Sequence, residues 1–199
     1  MKPNKIVIFN GPPGSGKSEA AKWSCLKLGG VQVDFKQRLL DVASCMSGMD
    51  EEEWYDIYDN RNDPSRPRKE TPLEPLGGLS QRQLLIKISE EWMKPTFGQD
   101  VFGKALVNQI KTAYNPFGVF FSGDGGFKWE VAPVVEHFGK ENVMLVRIFR
   151  KGCSFDGDSR NYLPLDMFDV GEDLYNNSTL EVFRKNVVDT IRWFVEGDY

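Results

Sequence analysis

The stretch "KIVIFNGPPGSGKSEAAKW", Lys5 to Trp23, constrains this chain more than any other. An apolar run of strand character meets a glycine-rich turn and then a stretch of helical character. Gly11, four intervening residues, Gly16, Lys17 and Ser18 make a complete Walker A motif. Glycines let backbone N–H groups converge on phosphate oxygens, and the following helix adds its N-terminal dipole. The expected phosphate-binding loop is therefore Gly11, Pro12, Pro13, Gly14, Ser15, Gly16, Lys17 and Ser18. Lys17 should reach the β- and γ-phosphates of ATP, and Ser18 should ligate Mg²⁺.

The rest of the chain alternates in the way such a unit requires. Strands are expected at Lys5–Asn10, Val31–Phe35, Phe117–Gly123, Asn142–Phe149 and Asp173–Asn177. Helical spacing marks Ser18–Leu28, Lys36–Met46, Leu79–Lys94, Asp100–Tyr114, Glu130–Gly139 and Ser178–Glu196. Pro133 is expected near the first turn of its helix, and Ser178 to Glu181 matches a capping box. Residues 47–78 are charged and rich in Pro and Gly, so they read as an excursion or mobile loop outside the core. The expected fold is α/β: a P-loop NTPase fold with a parallel sheet of about five strands, helices on both faces and right-handed crossovers. One domain spans 1–199, with 36–115 as an acceptor-side helical and loop insert over the site and 150–172 as a lid-like segment.

Composition excludes several other classes. No apolar run reaches the roughly 18 residues of a membrane span, and the start lacks a secretory apolar region of about 7–15 residues. Cys25, Cys45 and Cys153 show neither a CxxC pair nor a disulfide framework, so they read as buried thiols in a reducing compartment. A cytoplasmic protein is expected, in host cytoplasm if phage-encoded. His137 is the single histidine, which argues against a serine triad or a His-rich metal site. The net charge of −4 argues against a broad nucleic-acid surface. The oligomeric state is open, and a dimer is compatible with the sequence.

The loop alone does not separate kinases from switches and motors. The chain carries no N/TKxD base-reading motif and is short for a motor. A small chain with an insert after the second strand and an Arg-bearing polar segment after the fourth suits a kinase.

The order of pieces resembles the bacteriophage deoxynucleoside monophosphate kinases of the thymidylate-kinase-like group. The resemblance rests on the P-loop, "DFKQRLLDVA", "SQRQLLIKISEEW" before "DVFGKAL", "SGDGGFKWEV", "VRIFRKG" and "LYNNSTLEVF". It covers most of the chain, with the P-loop as its specific motif. It implies an ATP- and Mg²⁺-dependent kinase acting on a deoxynucleoside monophosphate. Kinases that phosphorylate hydroxymethyluracil already in DNA are the related alternative, with modified DNA as partner, and a nucleotide-binding switch ATPase is a further one. The family often carries Asp-x-Arg and a downstream acid after strand three. Here Asp124 and Glu130 remain, but the arginine position is glycine, and Lys128 can substitute in charge only.

Candidate residues follow from where strands end. Asp34 can orient or deprotonate a hydroxyl acceptor, or cap the next helix. Asp124 can serve the Mg²⁺ shell or hold the acceptor, or be a turn residue. Lys36 and Arg38 can grip an acceptor phosphate, and by resemblance Arg82 would face the site; each can also be a solvated charge. Arg150, Lys151 and Arg160 lie where a kinase lid would stabilise the transferred phosphoryl, a role expected of one of them, or each is a solvated loop charge. Asn176 and Asn177 end the last strand, where the donor's adenine would pack, or form a turn. The run Arg61–Lys69 can track a DNA backbone or be a solvated loop, and Trp54 and Tyr55 can stack a base or pack the core.

Overall fold

Five parallel strands form one sheet in the order β2-β3-β1-β4-β5. They are β1 Lys5–Asn10, β2 Val31–Gln32, β3 Val119–Ser122, β4 Val143–Phe149 and β5 Val170–Tyr175. The structure is a computed structural model that describes residues 4–60 and 63–197; Arg61, at the start of the basic run, lies outside the described residues. Contacts divide the chain into two compact units. The first runs up to Phe35 and resumes at Phe102; the second is Lys36–Val101.

In the first unit the central strands read as unbroken apolar runs because both faces are covered. One face holds Val7, Phe9, Phe121, Met144, Val146 and Ile148. They pack on Ala20 and Ala21 of α1 (Lys17–Leu28) and on Phe183, Val187, Ile191 and Phe194 of α8 (Leu180–Glu196). The opposite face carries Ile8, which with Phe35 and Val131 crowds the space above Gly125. Val131 belongs to α7 (Lys128–Phe138), whose buried side also presents Val134 and Val135. Against α7 lies α6 (Val101–Thr112), and a Cβ at Gly103 would stand 2.0 Å from the carbonyl oxygen of Glu130.

Strand β1 pairs with β3 on one side and β4 on the other. The chain leaves β1 toward β2 and leaves β4 toward β5, so the connections diverge between β1 and β4. Open α/β sheets bind ligands at the carboxyl ends beside such a divergence.

The second unit contains α2 (Gln37–Ser47), α3 (Glu51–Asp59), α4 (Gln81–Lys87) and α5 (Lys94–Phe97). A π-helical stretch, Ile88–Met93, joins the last two. Here the expected loop at 47–78 is corrected. Asp50 caps α3 by accepting from the N–H groups of Glu52 and Glu53, and Glu51, Glu52 and Glu53 complement the helix dipole. Trp54, Ile57 and Tyr58 are buried, so this helix is a layer of the unit's core. Trp54 is therefore a packing residue.

Other corrections are local. Strand β2 stops at Gln32, and only the N–H of Val33, bonded to Phe121, prolongs its pairing. Strand β5 starts at Val170, earlier than expected. Helix α6 belongs to the first unit, not to the insert. Pro133 lies inside α7, beyond its first turn. The cap of α8 is Thr179, which accepts from Val182, whereas the reciprocal capping box is Ser80 with Gln83. The three thiols are free, but Cys45 is exposed and the others are half-buried. No helix among the described residues is long and apolar enough to cross a membrane.

Candidate active site

The loop between β1 and α1 has little conformational freedom. Gly14 and Gly16 have φ of +77° and +109°, where glycine is favoured. At Gly16 a side chain would also strike Asn176 and Phe183. At Gly11 a Cβ would stand 2.5 Å from the carbonyl oxygen of Ile148 and 2.7 Å from Ser15 Oγ. The ammonium of Lys17 donates to the carbonyls of Gly11 at 2.7 Å and Pro12 at 2.8 Å. Ser15 Oγ is buried with no hydrogen-bond partner among the described residues, the condition an incoming oxygen ligand relieves. A glycine pressed on β4, an orphan hydroxyl and a lysine folded over the loop fit a polyphosphate.

Asn10 is the residue that sequence reasoning missed. Its amide donates to the carbonyl of Gly125 at 3.1 Å and of Asn161 at 3.3 Å, and it accepts from Leu163 N–H at 2.9 Å. One side chain, 1% exposed, thus ties the end of β1 to the segments after β3 and β4. A polar residue closing an apolar strand was the available signal, since buried polar groups need partners.

The loop after β3 abuts the start of α1. A Cβ on Gly123 would lie 3.1 Å from the carbonyl oxygen of Lys17 and 3.2 Å from Cα of Ser18. The next residue, Asp124, accepts from Ser122 Oγ at 2.9 Å and from Phe35 N–H at 3.0 Å. These bonds anchor Asp124 to the chain leaving β2, one residue from Asp34. Asp34 itself accepts from Gln32 at 3.4 Å. Helix α2 starts at Gln37, after Lys36, so Asp34 stands two residues before its boundary position. Among the described residues no three His, Cys, Asp or Glu side chains cluster as a metal cage. Ser18 and Asp124 supply hard oxygens of the kind Mg²⁺ takes one or two at a time alongside substrate phosphates.

The segment after β4 also touches the loop. Arg150 Nη1 donates to the carbonyl of Gly14 at 2.9 Å, and Cys153 lies against Gly14. Asn176 Nδ2 donates to the carbonyl of Ser15 at 2.8 Å, bracing the loop, and Asn177 accepts from Lys151 N–H at 2.7 Å. Arg160 is held by Asp158 through two side-chain bonds of 2.8 and 2.5 Å. Those bonds, with the charges of Asp158, Asp124 and Glu130, raise its guanidinium above its ordinary range. Its aliphatic stem fills the space over Gly126.

Within the first unit, Arg150 and Asn176 bond the loop directly and the Asp124 loop abuts it through Gly123, while Asp34 and Arg160 belong to the same unit. Lys128 is exposed at the start of α7. Lys36, Arg38 and Arg82 belong to the second unit. Lys36 Nζ sits 5.8 Å from the Tyr58 ring centre, as Lys69 does at 5.6 Å. Arg38 is exposed and 3.9 Å from Asp41. Arg82 is exposed, and its N–H bonds to the carbonyl of Lys69.

No protein-family model matches the chain, and no curated protein matches it significantly in sequence. Among solved structures it is similar to a dephospho-CoA kinase from Campylobacter jejuni, at 12% identity over 98% of each chain with a TM-score of 0.48. It is also similar to a gluconokinase from Sinorhizobium meliloti, at 13% identity over 99% of this chain and 96% of that one, TM-score 0.44. A sugar kinase from Janibacter sp. aligns at 12% identity over 96% and 95%, TM-score 0.41.

Proposed function

We propose that the chain is a kinase that transfers the γ-phosphoryl of ATP, with Mg²⁺, to a deoxynucleotide-type acceptor, a free deoxynucleoside monophosphate. The observation that carries this reading is the contact of Gly123 with Lys17 and Ser18. It brings a second anchored carboxylate loop, that of Asp124, to the phosphate-binding loop. Phosphoryl transfer is largely a matter of positioning and charge neutralisation. Lys17 and Arg150 supply positive charge at the loop, and Arg160 supplies a permanent cation beside Asp124 and Glu130. Ser18 and Asp124 would hold Mg²⁺, which neutralises charge on the phosphates when bound. Asp34 orients the acceptor. A hydroxyl acceptor would draw on it as a base, whereas a phosphate acceptor needs none. Lys36, Arg38 and Arg82 are proposed as acceptor-phosphate contacts, Lys128 as an acceptor contact and Asn177 as a donor contact. The segment 150–172 is proposed as the lid.

The alternative acceptor, hydroxymethyluracil in DNA, is disfavoured by the surroundings of the basic run. Arg66 is ion-paired with Asp56 and shares a groove with Asp50, Glu51, Glu52 and Asp59, a poor seat for a phosphate backbone. The switch alternative predicts slow hydrolysis that ignores acceptors. The test is ADP release with each deoxynucleoside monophosphate added in turn. Release that rises with one or more of them supports the kinase. Release unchanged by any of them, with ATP bound, removes the free-nucleotide kinase; release that also ignores hydroxymethyluracil-containing DNA supports the switch.

A further inference from the structure

We propose that Asn10 is a positioning residue of the site: its buried side-chain amide holds Arg160, in the segment after β4, against the Asp124 loop after β3. The inference rests on the kinase reading above and adds to it a residue that acts through two others.

Asn10 closes a strand that is apolar from Ile6 to Phe9, and it is buried. An amide in such a place is stable only when its donors and acceptor are met. Here Nδ2 donates to the carbonyls of Gly125 and Asn161, and Oδ1 accepts from the N–H of Leu163. The three bonds fix which way the amide points. Turned over, it would set its oxygen against two carbonyl oxygens and its NH₂ against an N–H. An aspartate of the same size could keep the bond to Leu163 but neither of the other two.

The two carbonyls give these bonds their meaning. Gly125 precedes Gly126, and Asn161 follows Arg160. The two inner residues are in contact, since a Cβ on Gly126 would stand 2.5 Å from Cδ and 2.9 Å from Cγ of Arg160. Asn10 thus clips together the backbones that flank this contact. The guanidinium of Arg160 is held by Asp158, and the charges of Asp124 and Glu130 act on it as well. Leu163 and Phe168 are buried downstream, so Arg160 stands at the anchored end of the segment 150–172. The Asp124 loop in turn abuts Lys17 and Ser18 through Gly123. A cation placed this way needs no rearrangement when charge develops on the transferred phosphoryl, which is the condition under which fixed charge helps most.

The test is a double-mutant cycle on the intact protein. It reads kcat and KM with γ-labelled ATP and the deoxynucleoside monophosphate that wild type accepts, well below each variant's melting midpoint. Asn10→Ala should lower kcat about 10-fold or more and leave KM for ATP within about 3-fold of wild type. Arg160→Ala should lower kcat at least as far. Adding Asn10→Ala to it should cost less than about 3-fold more, because the group that Asn10 places is then gone. A role in folding alone would lower the active fraction with or without Arg160, so the losses would multiply. Multiplying losses, or wild-type kcat in Asn10→Ala, would overturn the proposal. Asn10→Ser, which keeps a hydroxyl at the strand end, carries the same cycle if Asn10→Ala does not fold. Hydrogen exchange read by mass spectrometry gives an arm that needs no activity. In the folded variant, peptides containing Leu163 should exchange about 10-fold faster while β3 and β4 keep wild-type rates. Wild-type exchange at Leu163, or acceleration throughout the sheet, would overturn the clip. The two readings fail separately. If wild type transfers label to no acceptor, the kinase reading falls and exchange alone decides the clip. If it transfers label and the losses multiply, the clip falls and the kinase stands.

Discussion

Lys17 carries the largest share of the proposed chemistry, and its ammonium donates to the carbonyls of Gly11 and Pro12 in its own loop. Lys17→Ala should therefore lower transfer by about 100-fold or more while leaving the folded state intact, as judged by turnover and thermal melting. Wild-type turnover would remove the loop from catalysis. Asp34 and Asp124 separate the acceptor chemistries. Asp34→Asn costs more than Asp124→Asn if the acceptor is a hydroxyl, and less if it is a phosphate, when kcat is compared on one acceptor. The thiols give a check on local environment. Burial pushes the Cys25 thiol up to about 11, with the Asp34 charge adding to the rise. At pH 8, Cys25 should resist alkylation while exposed Cys45 reacts, as read by mass spectrometry. Because the folded value lies above the unfolded one, this thiol's contribution to stability is full below pH about 9. It is lost as pH rises toward 11. The phosphate loop was legible at this scale because its spacing is the chemistry. Asn10 was not, since its three bonds reach residues more than 100 positions away.

At the scale of elements, periodicity located the strands of the sheet but missed α3. That helix opens with three glutamates, and its buried face is carried by Trp54, Ile57 and Tyr58 alone. Composition made it look like a loop, whereas its cap and dipole made it a helix. Asp50→Ala should cost about 1 kcal/mol of stability, measured by denaturant unfolding. The contact of α6 with α7 is equally invisible in sequence, because it needs only the absence of a side chain at Gly103. A methyl there would meet the Glu130 carbonyl oxygen at 2.0 Å. Gly103→Ala should therefore lose about 1–3 kcal/mol as the helices part, and a melt like wild type would contradict that packing. The capping box expected at Ser178 illustrates a one-residue error: the pattern was present, but Thr179 takes the cap.

For the molecule as a whole, alternation of strand and helix was enough to give the sheet and its parallel sense. The boundary of the second unit was not, because the apolar spacing of α6 does not reveal which unit it packs in. The acidic balance and the groove around Arg66 argue for a small acceptor. Replacing Arg66 and Arg68 by Gln should leave transfer to free nucleotides unchanged. The measurement that tests the central claim most directly is transfer of label from γ-labelled ATP. Its panel is the free deoxynucleoside monophosphates, their hydroxymethyl forms, and duplex DNA containing thymine or hydroxymethyluracil. Label in a free nucleotide, lost in Lys17→Ala, is the predicted result. Label in modified DNA alone, or label released only as inorganic phosphate, would contradict it.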